Sequence, residues 1–143
     1  MLVRTMSYIN TEYLDKCLQT LEMSYTLIKN AEKGSIAYEM YRNALVKGFE
    51  LTLEQSGKLL RKKLIPYFAS KKDVDILNYK DIFREAHKRS LIDEACVNRW
   101  FKYRDNRNHT AHDYGVSFAE DTLALMDEFL DDVVALQQVI DNG

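Results

Sequence analysis

Residues 107–114 read Arg-Asn-His-Thr-Ala-His-Asp-Tyr, and Tyr103-Arg104-Asp105-Asn106 stands just before them. The chain has only 3 histidines, and two of them, His109 and His112, fall in this stretch. Histidine is the side chain whose unperturbed pKa, about 6.5, lets it donate and accept protons near neutrality. Arginine adds a planar, permanent cation whose fork matches phosphate oxygens. Together they suit phosphodiester cleavage by an internal 2′-hydroxyl. A base removes the hydroxyl proton, an acid protonates the leaving oxygen, and a guanidinium stabilises the charge growing on phosphorus-bound oxygens. Such a reaction requires no metal, and it confines the substrate to RNA, since DNA has no 2′-hydroxyl.

Plainer roles compete for the same residues. A histidine near a helix C-terminus commonly complements the helix dipole. His109 and His112 could also bind a metal, but an i, i+3 pair with only Asp105 or Asp113 nearby is a weak zinc signature. His87, on a helix rich in Lys and Arg, reads as a solvated surface residue. Trp100, Phe101 and Tyr103 read as packing residues rather than a platform for bases. Arg61-Lys62-Lys63 reads as a solvated helix end.

The elements that must position the cluster are helical. One proline and 5 glycines leave few breakers, and no strand-like alternation stands out. Leu14, Cys17, Leu18, Leu21, Tyr25 and Ile28 recur at helical spacing, with Asn10 as the expected N-cap and Gly34 as the stop. Ser35 opens a second helix carrying Tyr38, Tyr41, Leu45, Phe49, Leu53, Leu60 and Leu64 and ended by Pro66. Gly57 inside it costs about 1 kcal/mol relative to alanine, which points to close packing there. Tyr67 to Leu77, with Lys71-Lys72, reads as a linker. Asn78 caps a short helix that buries Ile82, Phe83 and Ala86. Asp93 opens another, with Cys96, Val97, Trp100 and Tyr103 inward. Ser117-Phe118-Ala119-Glu120 is a capping box ahead of Leu123, Met126, Phe129, Leu130, Val133, Leu136 and Ile140. The expected fold is all-α: an antiparallel up-and-down bundle of about four to five helices.

Within that frame the stripe through Val97 and Trp100 meets Arg104 and Arg107 in register, so an apolar face turns cationic. On an unbroken helix Arg107 and His112 would stand about 140° apart. For both to reach one phosphate, the helix must end between them, or two copies of the motif must converge across a dimer. Gly115 and the following cap indicate a chain reversal, a usual place for binding and catalysis.

The bulk properties set limits. At 143 residues the chain fits one domain. Hydrophobic residues at 46% and charged residues at 29% suit a folded globular protein. A net charge of −2 excludes a bulk basic surface, so any nucleic-acid contact must come from a local patch. Cys17 and Cys96 fit buried positions in a reducing compartment better than a disulfide. No apolar run approaches the ~20 residues of a membrane span, and the N-terminus lacks a signal peptide's apolar block. A cytoplasmic location is expected.

Arg107, His112 and Tyr114 fit R-x4-H-x-Y, and on this motif the chain resembles the HEPN-domain family of HepT type, also described as nucleotidyltransferase substrate-binding proteins. Phe49-Glu50-Leu51-Thr52-Leu53-Glu54-Gln55-Ser56 and Lys58 look like that family's second helix, and Ser117 to Ile140 like its closing helix. The likeness covers roughly residues 8–141 of a single HEPN-like domain, 1–143. Gly57 departs from it, standing where such proteins often carry a large aromatic.

The resemblance implies a homodimer with both motifs facing one cleft. It also implies a metal-independent RNase toxin, needing no cofactor, and a cognate minimal nucleotidyltransferase as antitoxin. Carried over, Arg107 is the phosphate-stabilising cation and His112 the acid/base. Tyr114 is the adenylylated residue and a contributor to RNA binding, and Asn108 orients the site. Arg104 and His109, outside the strict motif, are inferred to assist. Pairing across a two-fold would unite two arginines and two histidines, and AMP on Tyr114 would oppose phosphate by like charge. A non-catalytic subunit that holds substrate for a nucleotidyltransferase is the alternative, and a plain helical interaction module a third reading.

Overall fold

The structure, a computed structural model, describes residues 8–110 and 116–142, with side chains at 8–107 and 118–142. Six α-helices and no strand occur among the described residues: α1 (Glu12–Lys29), α2 (Ile36–Leu64), α3 (Lys71–Asp75), α4 (Tyr79–Lys88), α5 (Glu94–Thr110) and α6 (Val116–Asp141). The expected all-α bundle is therefore present. The helix beyond the expected four or five is α3, which together with a 3₁₀ turn at Ile65–Tyr67 occupies the stretch read as linker.

Local chemistry explains most boundaries. Ser35 Oγ accepts from the Tyr38 amide at 3.1 Å, and Asn78 Oδ1 from the Asp81 amide at 2.8 Å. Asp93 Oδ1 accepts from the Cys96 amide at 2.8 Å. All three act as the expected N-caps. Asn10 works from one position further out: its Oδ1 takes the Glu12 amide at 2.9 Å, while Thr11 is the cap residue. α1 ends earlier than expected, with Asn30 as its C-cap. Gly34, at φ 86°, supplies the left-handed turn of the α1–α2 loop instead of the helix stop. α2 closes at Leu64, two residues before Pro66. α6 begins at Val116, one residue ahead of the expected cap, and the Ser117 side chain lies outside the described residues.

The long α2 is the spine. It packs on α1, α4 and α6, while α5 is held between α4 and α6. Leu14, Leu18 and Leu21 of α1 meet the leucines of α2 in one core. Beneath α5 that core becomes aromatic. Phe83 stacks on Trp100 at 4.8 Å, and Tyr103 and Phe129 meet edge-on at 4.9 Å. Phe129 also reaches Phe49 at 4.8 Å. These rings carry large apolar area and prefer such tilted contacts, so they fix α5 against its neighbours. Trp100 and Tyr103 are fully buried, as a packing role requires.

Gly57 bears out the suspicion of close approach. A Cβ there would lie 2.3 Å from the Tyr79 ring. The ring fills the space over α2, and its hydroxyl donates to the Leu53 carbonyl at 2.7 Å. Here glycine admits an aromatic from α4 rather than carrying one itself.

Candidate functional site: the cationic end of α5

α5 carries the first part of the motif. Arg104 and Arg107 are both partly buried and sit three residues apart, hence as neighbours on one helix face. Asn108 and His109 lie on its final turn, and their side chains are outside the described residues. Residues 111–115, with His112 and Tyr114, also lie outside them. Two of the anticipated site cations are thus placed together, on the last two turns of a helix described through Thr110.

What holds those turns is a buried carboxylate that reading the sequence missed. Asp132 of α6, 6% exposed, accepts from Arg99 Nε at 2.8 Å and Nη2 at 2.9 Å, and also from the Tyr103 hydroxyl. A bidentate guanidinium–carboxylate pair fixes direction as well as distance. Burial, then the bond to Asp132, pushes the Tyr103 phenol far above its usual value, so it stays a neutral donor. One turn onward, Asn106 Nδ2 donates to Thr122 Oγ1 at 3.0 Å. α5 and α6 are therefore tied on the motif's approach side by two polar clamps. Asp132 was detectable: with Phe129, Val133 and Leu136 it shares the α6 stripe, where an acid needs a partner.

Around Arg104 lies a cleft of about 270 Å³ lined by Asn78, Tyr79, Lys80, Arg84 and Arg104. The Arg104 guanidinium rests over the Tyr79 ring at 4.7 Å. Lys80 and Arg84 approach the Phe101 ring at 5.3 and 4.8 Å. Desolvation drives the Tyr79 phenol well above its usual value, against the pull of Arg104, so this ring too remains neutral. Phe101 and Tyr79 act as cation supports, a role the sequence does not distinguish from packing.

The remaining candidates resolve differently. Arg61-Lys62-Lys63 is not simply a solvated end. Arg61 donates to the Val74 and Leu77 carbonyls at 2.6 and 2.9 Å, and Lys63 to the Asn142 carbonyl at 2.8 Å. Those cations close the orphan carbonyls of short and terminal segments. His87 is exposed, as expected, with Nδ1 3.0 Å from the Ile92 carbonyl. Cys17 and Cys96 are free thiols, and burial raises Cys96 to about 11, which makes it a poor nucleophile. Among the described residues no group of three His, Cys, Asp or Glu is placed to hold a metal, and no helix is long and apolar enough to cross a membrane.

Residues 10–142 match the family model described as nucleotidyltransferase substrate binding protein like. The chain belongs to that family. A curated relative, the probable ribonuclease HepT of Haemophilus influenzae, is 29% identical over 126 residues, covering 85% of each chain. A solved structure, HI0074 of the same organism, superposes with a TM-score of 0.79 at 28% identity, over 92% of this chain and 98% of that one. That structure is described as revealing the fold of a substrate binding domain of a nucleotidyltransferase. The family anticipated from R-x4-H-x-Y and the helical bundle anticipated from the apolar spacing are thus those found.

Proposed function

We propose that this chain is a HepT-type, metal-independent endoribonuclease whose two-fold dimer joins a pair of R-x4-H-x-Y motifs at one cleft. The carrying observation is that the motif's first cation, Arg107, lies one turn beyond Arg104 on a helix clamped to α6, in a chain of this family. The relative named a probable ribonuclease HepT supports the same reaction class. In the proposed reaction the His112 imidazole of one subunit takes the 2′-hydroxyl proton. The freed oxygen attacks the adjacent phosphorus, and the bond to the 5′-oxygen breaks. The partner subunit's His112, protonated, supplies the proton to that leaving oxygen, and the products are a 2′,3′-cyclic phosphate and a 5′-hydroxyl. Arg107 stabilises the phosphorane's charge. Asn108, His109 and Arg104 orient or hold the strand.

The proposal includes a nucleotidyltransferase partner that attaches AMP to Tyr114. The added anion would repel phosphate beside the imidazole and switch the site off. The family to which the chain belongs supports that pairing. The proposal places this toxin in the cytoplasm, a reducing compartment in which Cys17 and Cys96 stay free thiols.

The description of HI0074 as a substrate binding domain favours a second reading, a subunit that presents substrate to the nucleotidyltransferase without cutting RNA. Expression in cells separates the two. Growth arrest by the wild type, relieved by co-expressing a minimal nucleotidyltransferase partner and absent in His112→Ala, supports the toxin. A stable complex with that enzyme, and no arrest at any expression level, supports the accessory subunit.

A further inference from the structure

We propose that the cleft between the first turn of α4 and the Arg104 face of α5 is a subsite for a backbone phosphate of single-stranded RNA. That phosphate would flank the bond cut at the motif. The inference rests on the RNase reading for the reaction, but its binding chemistry stands on this cleft alone. Three of its five lining side chains, Lys80, Arg84 and Arg104, are cations. Two neighbouring acids pair with these cations at the surface, Asp105 with Lys80 at 2.7 Å and Asp81 with Arg84 at 2.8 Å, and the exposed Glu54 of α2 acts on Tyr79. Exposed pairs of this kind are weak and readily exchanged for a doubly contacted anion. The N-terminus of the ten-residue α4, capped by Asn78, opens at the same place and adds its positive dipole end.

The rings narrow the ligand further. Arg104 covers Tyr79, while Lys80 and Arg84 lie over Phe101. The cleft therefore presents guanidinium and ammonium groups, rather than bare aromatic faces, to an incoming strand. It is suited to the charge common to every nucleotide rather than to a particular base. Position supplies the last step. Arg104 precedes Arg107 by three residues, about 4.5 Å of helix rise, so a strand held at the motif is led along α5 to this cleft. An acidic protein segment would meet the same cations. Continuity with the motif arginine favours RNA. A concentrated cationic track also resolves how a chain of net charge −2 attracts a polyanion.

The test uses a fluorescent 2′-O-methyl oligoribonucleotide, which binds as RNA but lacks the attacking hydroxyl. Its affinity for the full chain is measured by anisotropy across a salt series. Lys80→Gln/Arg84→Gln should weaken binding on the order of fivefold to tenfold at low salt. The same double variant should flatten the log–log salt slope by about 0.7 for each phosphate it no longer neutralises. Arg84→Gln alone, on a half-exposed side chain, should show part of the effect should the double variant fold poorly. Lys102→Gln, whose cation faces Glu128 at 3.6 Å, should stay within about twofold of wild type.

Unchanged affinity and slope in the Lys80 and Arg84 variants would overturn the subsite while leaving the RNase reading intact. So would a wild type that does not bind the probe at low salt. Tighter, variant-sensitive binding of polyglutamate than of the oligonucleotide would assign the cleft to an acidic protein partner instead. Binding that depends on Lys80 and Arg84, in a wild type that leaves unmodified RNA whole, would keep the subsite and remove the RNase reading.

Discussion

Two helix C-terminal regions in this protein carry clusters of cations, and they use them in opposite ways. At the end of α2, Arg61 and Lys63 are spent on backbone carbonyls, joining α3 and the last residues of α6 to the spine. At the end of α5, Arg104 and Arg107 share one face, beside a cleft that also gathers Lys80 and Arg84. Arg99 shows the intermediate case, a cation on the same helix as Arg107 but committed to a buried carboxylate. A run of basic residues therefore says little by itself. What separates a strut from the proposed ligand site is the partner: part-buried carbonyls and a buried carboxylate hold Arg61 and Arg99, whereas Lys80 and Arg84 meet only acids at the surface.

The sharpest way to break this contrast is to exchange effects between the two regions. Arg107→Ala and His112→Ala should each lower cleavage of RNA by about 10²–10⁴, the usual worth of a positioned acid, base or phosphate cation. Arg61→Ala should leave cleavage per folded molecule unchanged. Rates normalised to folded protein check both, and a comparable loss in Arg61→Ala would erase the distinction.

Stability should respond instead at the struts. Asp132→Ala strands the Arg99 guanidinium and the Tyr103 hydroxyl and should cost about 3 kcal/mol. Arg61→Ala frees two carbonyl acceptors and should cost about 2 kcal/mol. Urea denaturation measures both, and a cost below about 0.5 kcal/mol for Asp132→Ala would show that α5 is held by its aromatic packing alone.

Much of this was legible in the sequence, for definite reasons. Ser35, Asn78 and Asp93 carry short oxygen-bearing side chains where a helix begins, so the local signal and the outcome coincide. The core followed from three- and four-residue spacing. The same spacing, with few breakers, led to the bundle, and the Arg107–His112–Tyr114 motif to the family. What escaped depends on contacts distant in sequence. Asp132 lies 33 positions from Arg99, and Arg61 reaches carbonyls 13 and 16 positions away. The cleft needs α4 laid against α5 before Lys80 and Arg84 can join Arg104. No periodicity within one helix encodes that meeting. Gly57 was visible as a close-packing point, but the ring that fills it, Tyr79, comes from another helix.

The two interior glycines of α2 sharpen the point on a smaller scale. Gly57→Ala drives a methyl into the Tyr79 ring at 2.3 Å and disturbs the support beneath Arg104. It should destabilise by about 1–2 kcal/mol despite a helix-propensity gain of nearly 1 kcal/mol. Gly48→Ala meets Leu21 less closely, its Cδ1 at 3.3 Å and its Cα at 3.6 Å, and should fall within about 0.5 kcal/mol of wild type. Thermal unfolding of the pair checks this, and equal effects would place the Tyr79 packing in error.

The smallest expected effect is on alkaline stability. Burial and Asp132 raise the folded-state pKa of Tyr103, whereas in the unfolded chain it titrates near 10. Its contribution is therefore complete below about pH 10 and declines above it, as the unfolded state alone releases the proton. Tyr103→Phe removes this term, so its stability should fall less steeply than that of wild type between about pH 9 and 11, read from urea midpoints. Parallel curves would mean that the phenol ionises freely in the folded protein.

An imidazole and a guanidinium acting together on one RNA phosphate are the centre of the proposed reaction, and one incubation tests that most directly. Wild type and His112→Ala are each mixed with total RNA in the presence of a chelator, and the termini of the fragments are identified. Fragments ending in 2′,3′-cyclic phosphate from the wild type alone are the predicted result. Intact RNA in both reactions, or the same fragments from both proteins, would contradict it.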